Sequence, residues 1–156
     1  MRAGLAAVLV AVAVTIGAAA APAATNPCAL VTSADAAAVL EAPVGPTHAR
    51  AVRYRPPLRR PRHPMLDCIY RARAGPSRGA IVTTEPLTRS AFALVIAQQP
   101  DPVTKVAGLG GLAYIAGPHR LLMAWKHGTA LYVSVDGTAN PVTREKRLAR
   151  GALGRL

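Results

Sequence analysis

The amino-acid sequence predicts an α+β domain. Two or three helices would cover one face of an antiparallel sheet of about five strands, giving a two-layer sandwich. Three observations carry this. Short strand-like runs are separated by Gly- and Pro-containing turns. Helical segments with recognisable caps stand before, between and after those runs. Apolar residues make up 51% of the chain but aromatics only 4%, so the core must be built from Val, Leu, Ile and Ala.

The start of the chain reads as an export signal. Arg2 is followed by the uncharged stretch Ala3 to Ala21, most hydrophobic over Leu5 to Ile16. Ala21-Pro22-Ala23 has the small-x-small pattern that a signal peptidase reads, which puts cleavage after Ala23 or Ala24. Residues 1–24 are therefore expected to be a signal peptide and 25–156 a single domain. The alternative is an uncleaved membrane anchor, because about nineteen uncharged residues just suffice to span a bilayer. Alanine richness and the cleavage-like site favour the leader. Cys28 follows Thr25-Asn26-Pro27, which is no lipid-attachment tripeptide, so no lipid is expected there.

Cys28 and Cys68 are the two cysteines of the chain. In an exported protein they should pair, closing a loop of about 41 residues and stabilising by about 4 kcal/mol, less any strain. Two buried thiols in a reduced protein are the alternative, and that choice stands or falls with the leader.

The elements follow in order. Thr32-Ser33-Ala34-Asp35 starts a short helix over Ser33 to Glu41, ended by Ala42-Pro43 and Gly45-Pro46. Residues 48–64 form a basic loop carrying Arg50, Arg53, Arg55, Arg59, Arg60 and Arg62 among Pro56, Pro57, Pro61 and Pro64. The prolines forbid a regular helix, and the like charges extend the chain. Asp67 to Arg73 alternates as a strand, and Ala80 to Thr84 completes a hairpin across Gly75–Gly79. Thr88 or Ser90 caps a second helix carrying Phe92, Leu94, Val95 and Ile96. Val103 to Val106 is a short strand. Leu112 to Ala116, Leu121 to Lys126 and Ala130 to Val135 are three more, the last two joined by a tight turn at His127-Gly128-Thr129. Asn140-Pro141 starts a C-terminal helix with an apolar stripe through Val142, Leu148, Ala149, Ala152 and Leu153 and a basic outer face.

The order of short motifs resembles a known family. Pro27 to Leu40 reads PCALVTSADAAAVL, Cys68-Ile69-Tyr70 follows, and Val106 to Tyr114 reads VAGLGGLAY before paired strands and a terminal helix. This is similar to the actinobacterial exported and lipoprotein domains of unknown function, family 3558. It is similar too to the extracellular sensor domains of mycobacterial receptor-type serine/threonine kinases. The resemblance covers nearly the whole mature chain. It implies a two-layer α/β sandwich with Cys28 bonded to Cys68, and no known activity. The chain departs from the pattern in three places: the lipid-attachment cysteine is missing, Gly111 replaces an acid, and the basic insertion is atypical. The bias toward Ala, Arg, Gly, Pro and Val also fits a GC-rich actinobacterial genome.

Lys and Arg outnumber Asp and Glu by 19 to 7, for a net charge of +12. Such a charge favours anionic partners and opposes self-association, so a monomer is expected. Outside the cytoplasm those partners would be anionic lipid, wall polymer or acidic protein. No aromatics interleave with the basic residues to stack nucleic acid, which is not expected as a partner.

Catalytic signatures are sparse. Gly108-Leu109-Gly110-Gly111 lacks the Lys-Ser/Thr of a phosphate loop and precedes a strand, not a helix. His48, His63, His119 and His127 show no metal spacing, so neither metal nor cofactor is expected. No Gly-x-Ser-x-Gly occurs, and the acids form no evident pair. The sequence therefore reads as a non-catalytic exported domain that binds a ligand or partner in the cell envelope. The site would be the sheet face opposite the helices or the pocket between layers, lined by Tyr114, Trp125 and Tyr132. An alternative is electrostatic adhesion to anionic lipid or wall polymer through Arg50, Arg53, Arg55, Arg59, Arg60 and Arg62. An uncharacterised hydrolase is the third reading.

Overall fold

The computed structural model describes residues 24–52, 64–75, 77–117 and 121–156. The expected leader up to Ala23, and Arg53, Arg55, Arg59, Arg60 and Arg62 of the basic loop, lie outside the described residues, as do His63 and His119. In chain order the elements are α1 (Pro27–Leu30), α2 (Ser33–Leu40), β1 (Arg50–Ala51), β2 (Leu66–Arg71), β3 (Gly79–Pro86), α3 (Arg89–Ala97), β4 (Val103–Lys105), β5 (Leu112–Ala116), β6 (Leu121–Lys126), β7 (Thr129–Asp136) and α4 (Pro141–Gly154).

The strands form one antiparallel sheet in the order β1-β2-β3-β7-β6-β5-β4. The α+β class therefore holds, with seven strands where the sequence predicts about five. Six of the seven correspond to strand-like runs of the sequence, and β1 is the one that the sequence hides. It is two residues long and sits inside the proline- and arginine-rich segment, where periodicity gives no signal. Helix α1 is likewise too short to show a period.

Two local starts follow the expected chemistry. Thr32 Oγ1 accepts the Asp35 N–H at 3.2 Å, and Asp35 Oδ2 accepts the Thr32 N–H at 2.9 Å. This reciprocal box satisfies two donors at the start of α2. Thr88 Oγ1 accepts the Ala91 N–H at 3.2 Å at the start of α3. Asn140 departs from expectation. It stands at the N-cap of α4 but in the left-handed region, φ 54°, and its side chain makes no cap bond. His127 and Gly128, at φ 47° and 81°, form the two-residue turn between β6 and β7. Positive φ at both positions matches the strand twist.

The first core lies between the sheet and helices α1, α2 and α4. Val39 and Leu40 meet Tyr70, Val82, Leu122, Leu131, Val133, Leu148 and Leu153 there. The Cys28–Cys68 disulfide, Cα atoms 5.3 Å apart, bonds α1 to β2. Beside it the buried Tyr70 hydroxyl donates to the Val31 carbonyl, and Arg155 Nη1 donates to the Leu30 carbonyl at 2.5 Å and to Asp35 Oδ2 at 2.8 Å. The carbonyls at the end of α1 thus find partners from β2 and from the end of α4. The Arg155 hydrogen bond, aided by Thr32, holds the Asp35 carboxyl below its ordinary value against the opposing effect of burial. Burial, with the Asp35 charge adding to it, pushes the Tyr70 phenol up to about 12.

The second core overturns the expectation that the helices share one face. Helix α3 packs on the opposite face, where Phe92 meets Met123, Ala116 and Ala130. Strand β6 reads Leu121-Leu122-Met123-Ala124-Trp125, apolar without alternation. Such a strand exposes apolar surface on both sides, and both must be buried. Strand β2 alternates instead, with Cys68 and Tyr70 buried and Asp67, Ile69 and Arg71 facing the other way. The domain is therefore three layers deep over β6 and β7, between α4 and the cluster under α3, and two layers deep over β2 and β3, which α1 and α2 cover.

Gly137 illustrates how tightly the hairpin ends meet. Its φ is +69°, and a Cβ there would lie 2.0 Å from the Ser77 carbonyl oxygen. Only glycine allows β7 to end against the turn before β3.

Two outcomes are expected. The double substitution Cys28→Ser with Cys68→Ser should lower the unfolding free energy by about 4 kcal/mol. Urea titration reads this as a lower midpoint, and an unchanged midpoint refutes it. Because the Tyr70 phenol is raised in the folded state, its contribution is complete below pH 10 and is lost as pH climbs toward about 12. Wild type should therefore lose stability more steeply than Tyr70→Phe across that window, by urea unfolding at stepped pH.

Candidate functional site

The half of the sheet that α3 leaves uncovered is the candidate site. Pairing register fixes its membership. Ile69 stands opposite Ile81, and Ile81 opposite Ser134. In the next row Arg50 stands opposite Asp67, Asp67 opposite Thr83, and Thr83 opposite Tyr132. Since antiparallel partners share a face, these side chains lie away from α1, α2 and α4.

The rows differ in chemistry. Thr83 Oγ1 donates to Asp67 Oδ1 at 2.6 Å, and the Tyr132 hydroxyl donates to Glu85 Oε2 at 3.0 Å. Glu85 is 7% exposed, so this carboxylate is a buried acceptor and not a solvated surface charge. Ile81, by contrast, is 37% exposed. A cleft of ≈ 300 Å³ runs past Ile69, Arg71, Gly79, Ile81 and Asp136. A second, of ≈ 260 Å³, lies toward the sheet edge among Thr47, His48, Arg50, Ile69 and Arg71. Ile69 and Arg71 line both, so the two are contiguous.

The expected aromatics separate. Tyr114 lies beneath α3, with its ring centroid 6.4 Å from that of Phe92. Trp125 packs in the same cluster, and its Nε1 donates to the Leu87 carbonyl at 2.7 Å. Tyr132 stands at the boundary, packed toward α3 on one side and bonded to Glu85 on the other. Of the expected basic contacts, Arg50 is described, exposed on edge strand β1, and Arg71 and His48 join it. Cys28 and Cys68 are bonded to one another.

Ile69, Arg71, Ile81 and Glu85 escape sequence reasoning. One signal could have found the first two. Once Cys68 is bonded to Cys28 it must face the helices, so Ile69 and Arg71 must face away. Among the described residues, no group of three or more His, Cys, Asp or Glu is placed to hold a metal ion. Among them too, no helix is long and apolar enough to cross a membrane.

No protein-family model, curated protein or solved structure matches the chain.

Tyr132→Phe keeps the ring and removes the hydroxyl bonded to Glu85. It should destabilise the fold by about 1.5–3 kcal/mol, the range for a hydrogen bond to a charged group. Equal urea midpoints for variant and wild type would refute this.

Proposed function

We propose that this protein is an exported, non-catalytic domain that binds a ligand or partner in the cell envelope through the uncovered half of its sheet. One observation carries the reading. Ile69 and Ile81 stand side by side on a face whose other half is sealed by α3, and Ile81 remains 37% exposed. A cleft with an apolar floor and a few polar groups around it is the usual form of a ligand site. The disulfide supports an oxidising, extracytoplasmic compartment. The order of motifs shared with the actinobacterial exported domains supports the same placement.

A second reading, electrostatic adhesion to anionic lipid or wall polymer, is favoured by Arg50 standing with Arg71 and His48 at the sheet edge. It differs in needing charge alone, whereas the first reading needs the apolar floor.

The test uses the full chain secreted from an actinobacterial host. The mature protein should lack its leader and carry no alkylatable thiol by intact mass. Incubated with washed envelopes, wild type should be retained, and Ile81→Lys, which adds positive charge while spoiling the floor, should be lost. Equal retention of the two proteins would overturn the use of this face, and retention rising with Ile81→Lys would favour adhesion by charge.

A further inference from the structure

The cations of this chain divide by what they touch. On the helical side Arg78, Arg144 and Arg155 are engaged. Arg144 donates to the Val39 carbonyl and to Glu41 Oε1, the latter at 2.7 Å. Arg78 Nη1 donates to the Leu40 carbonyl at 3.0 Å and lies 3.8 Å from Glu41 Oε2. Arg155 bonds Asp35 and the Leu30 carbonyl. These cations complete the C-terminal ends of α1 and α2, where the helix carbonyls lack partners.

On the sheet edge the pattern is reversed. His48, Arg50 and Arg71 border the ≈ 260 Å³ cleft, and among the described residues that line it none is acidic. None of the three is ion-paired among the described residues. Asp67, opposite Arg50 in the register, accepts from Thr83 Oγ1, forms no ion pair with the three and does not line the cleft. Two guanidiniums facing one hollow repel each other, and an oxyanion between them turns repulsion into paired, charge-assisted hydrogen bonds. The planar fork of arginine suits carboxylate and phosphate oxygens in particular. Arg71 also borders the neighbouring cleft, where Ile69 and Ile81 supply apolar surface and Arg78 and Asp136 stand at the lining too.

Resting on the reading that this half of the sheet is the binding face, we infer that its ligand is a single amphiphilic anion. A phosphate or carboxylate head sits among His48, Arg50 and Arg71, and its apolar tail lies over Ile69 and Ile81. Clefts of a few hundred Å³ accommodate a small molecule and not an extended surface. Charge complementarity selects the head, and the exposed isoleucines select the tail.

Isothermal titration of the secreted, disulfide-bonded protein tests this with octyl phosphate below its micelle concentration, inorganic phosphate and octyl glucoside. Octyl phosphate should bind at least about tenfold more tightly than either of the others. Arg71→Gln should weaken octyl phosphate by about tenfold or more, and Arg71→Lys, which keeps the charge but not the fork, should lie between. Arg150→Gln, on the outer face of α4, should leave binding unchanged, and circular dichroism should report the same fold in every variant. Equal affinity for octyl phosphate and octyl glucoside, or no effect of Arg71→Gln, overturns the anion site. So does sedimentation with phosphatidylglycerol vesicles without binding of monomeric octyl phosphate, which would assign the cations to membrane adhesion. The envelope experiment with Ile81→Lys judges the face itself, so failure of the anion site and failure of the face are read separately.

Discussion

The bond between Cys28 and Cys68 is the constraint on which the rest of the structure turns. A strand side chain has only two directions available, and neighbours alternate between them. Fixing Cys68 toward α1 therefore fixes Tyr70 inward and Ile69 and Arg71 outward. The antiparallel register carries that choice from β2 to β3 and from β3 to β7. A slip of one residue would reverse every side chain along these strands. The cross-link also brings a four-residue helix, too short to persist alone, onto the sheet. There Tyr70 and Arg155 satisfy its terminal carbonyls.

The asymmetry of the second face follows from dimensions. Helix α3 has nine residues and is about 14 Å long, whereas a seven-stranded sheet is about 29 Å wide. One such helix cannot cover the whole face. It lies where burial is worth most, over the strands that are apolar on both sides. Met123, Ala130 and Phe92 are sealed there, and the indole of Trp125 finds a backbone partner at Leu87. On the outer surface of β2 and β3, Ile69, Arg71 and Ile81 stay at least partly open, while Thr83 and Glu85 are buried. This half of the face is the remainder of a packing problem, and its polar groups are tied down by Thr83–Asp67 and Tyr132–Glu85.

The excess of positive charge is likewise divided by structure. On the helical side Arg78, Arg144 and Arg155 act as caps, where the partial negative charge at a helix C-terminus and the carboxylates of Asp35 and Glu41 hold them. Those at the sheet edge have no such duty. Net charge alone thus says little about where an anion would go. The same residue type closes a helix at Arg144 and borders a hollow at Arg71.

By itself the sequence determined the α+β class, the starts of α2 and α3, the β6–β7 turn and the cysteine pair, because each is written in residues close together or in a count of two. Thr32 and Asp35 are three positions apart, and His127-Gly128 carries its own backbone preference. Strand β1 and helix α1 were not legible, since elements of two and four residues show no period. Tyr114, Trp125 and Tyr132 looked alike as aromatics. Only the tertiary packing set Tyr114 against Phe92, bonded Trp125 to the Leu87 carbonyl and bonded Tyr132 to Glu85. Which face stays open, and which cations gather around it, depends on residues as distant as Arg50, Arg71 and Asp136 being drawn onto one sheet. That choice belongs to tertiary structure, because a strand's pattern names two faces and only its neighbours decide which one is buried.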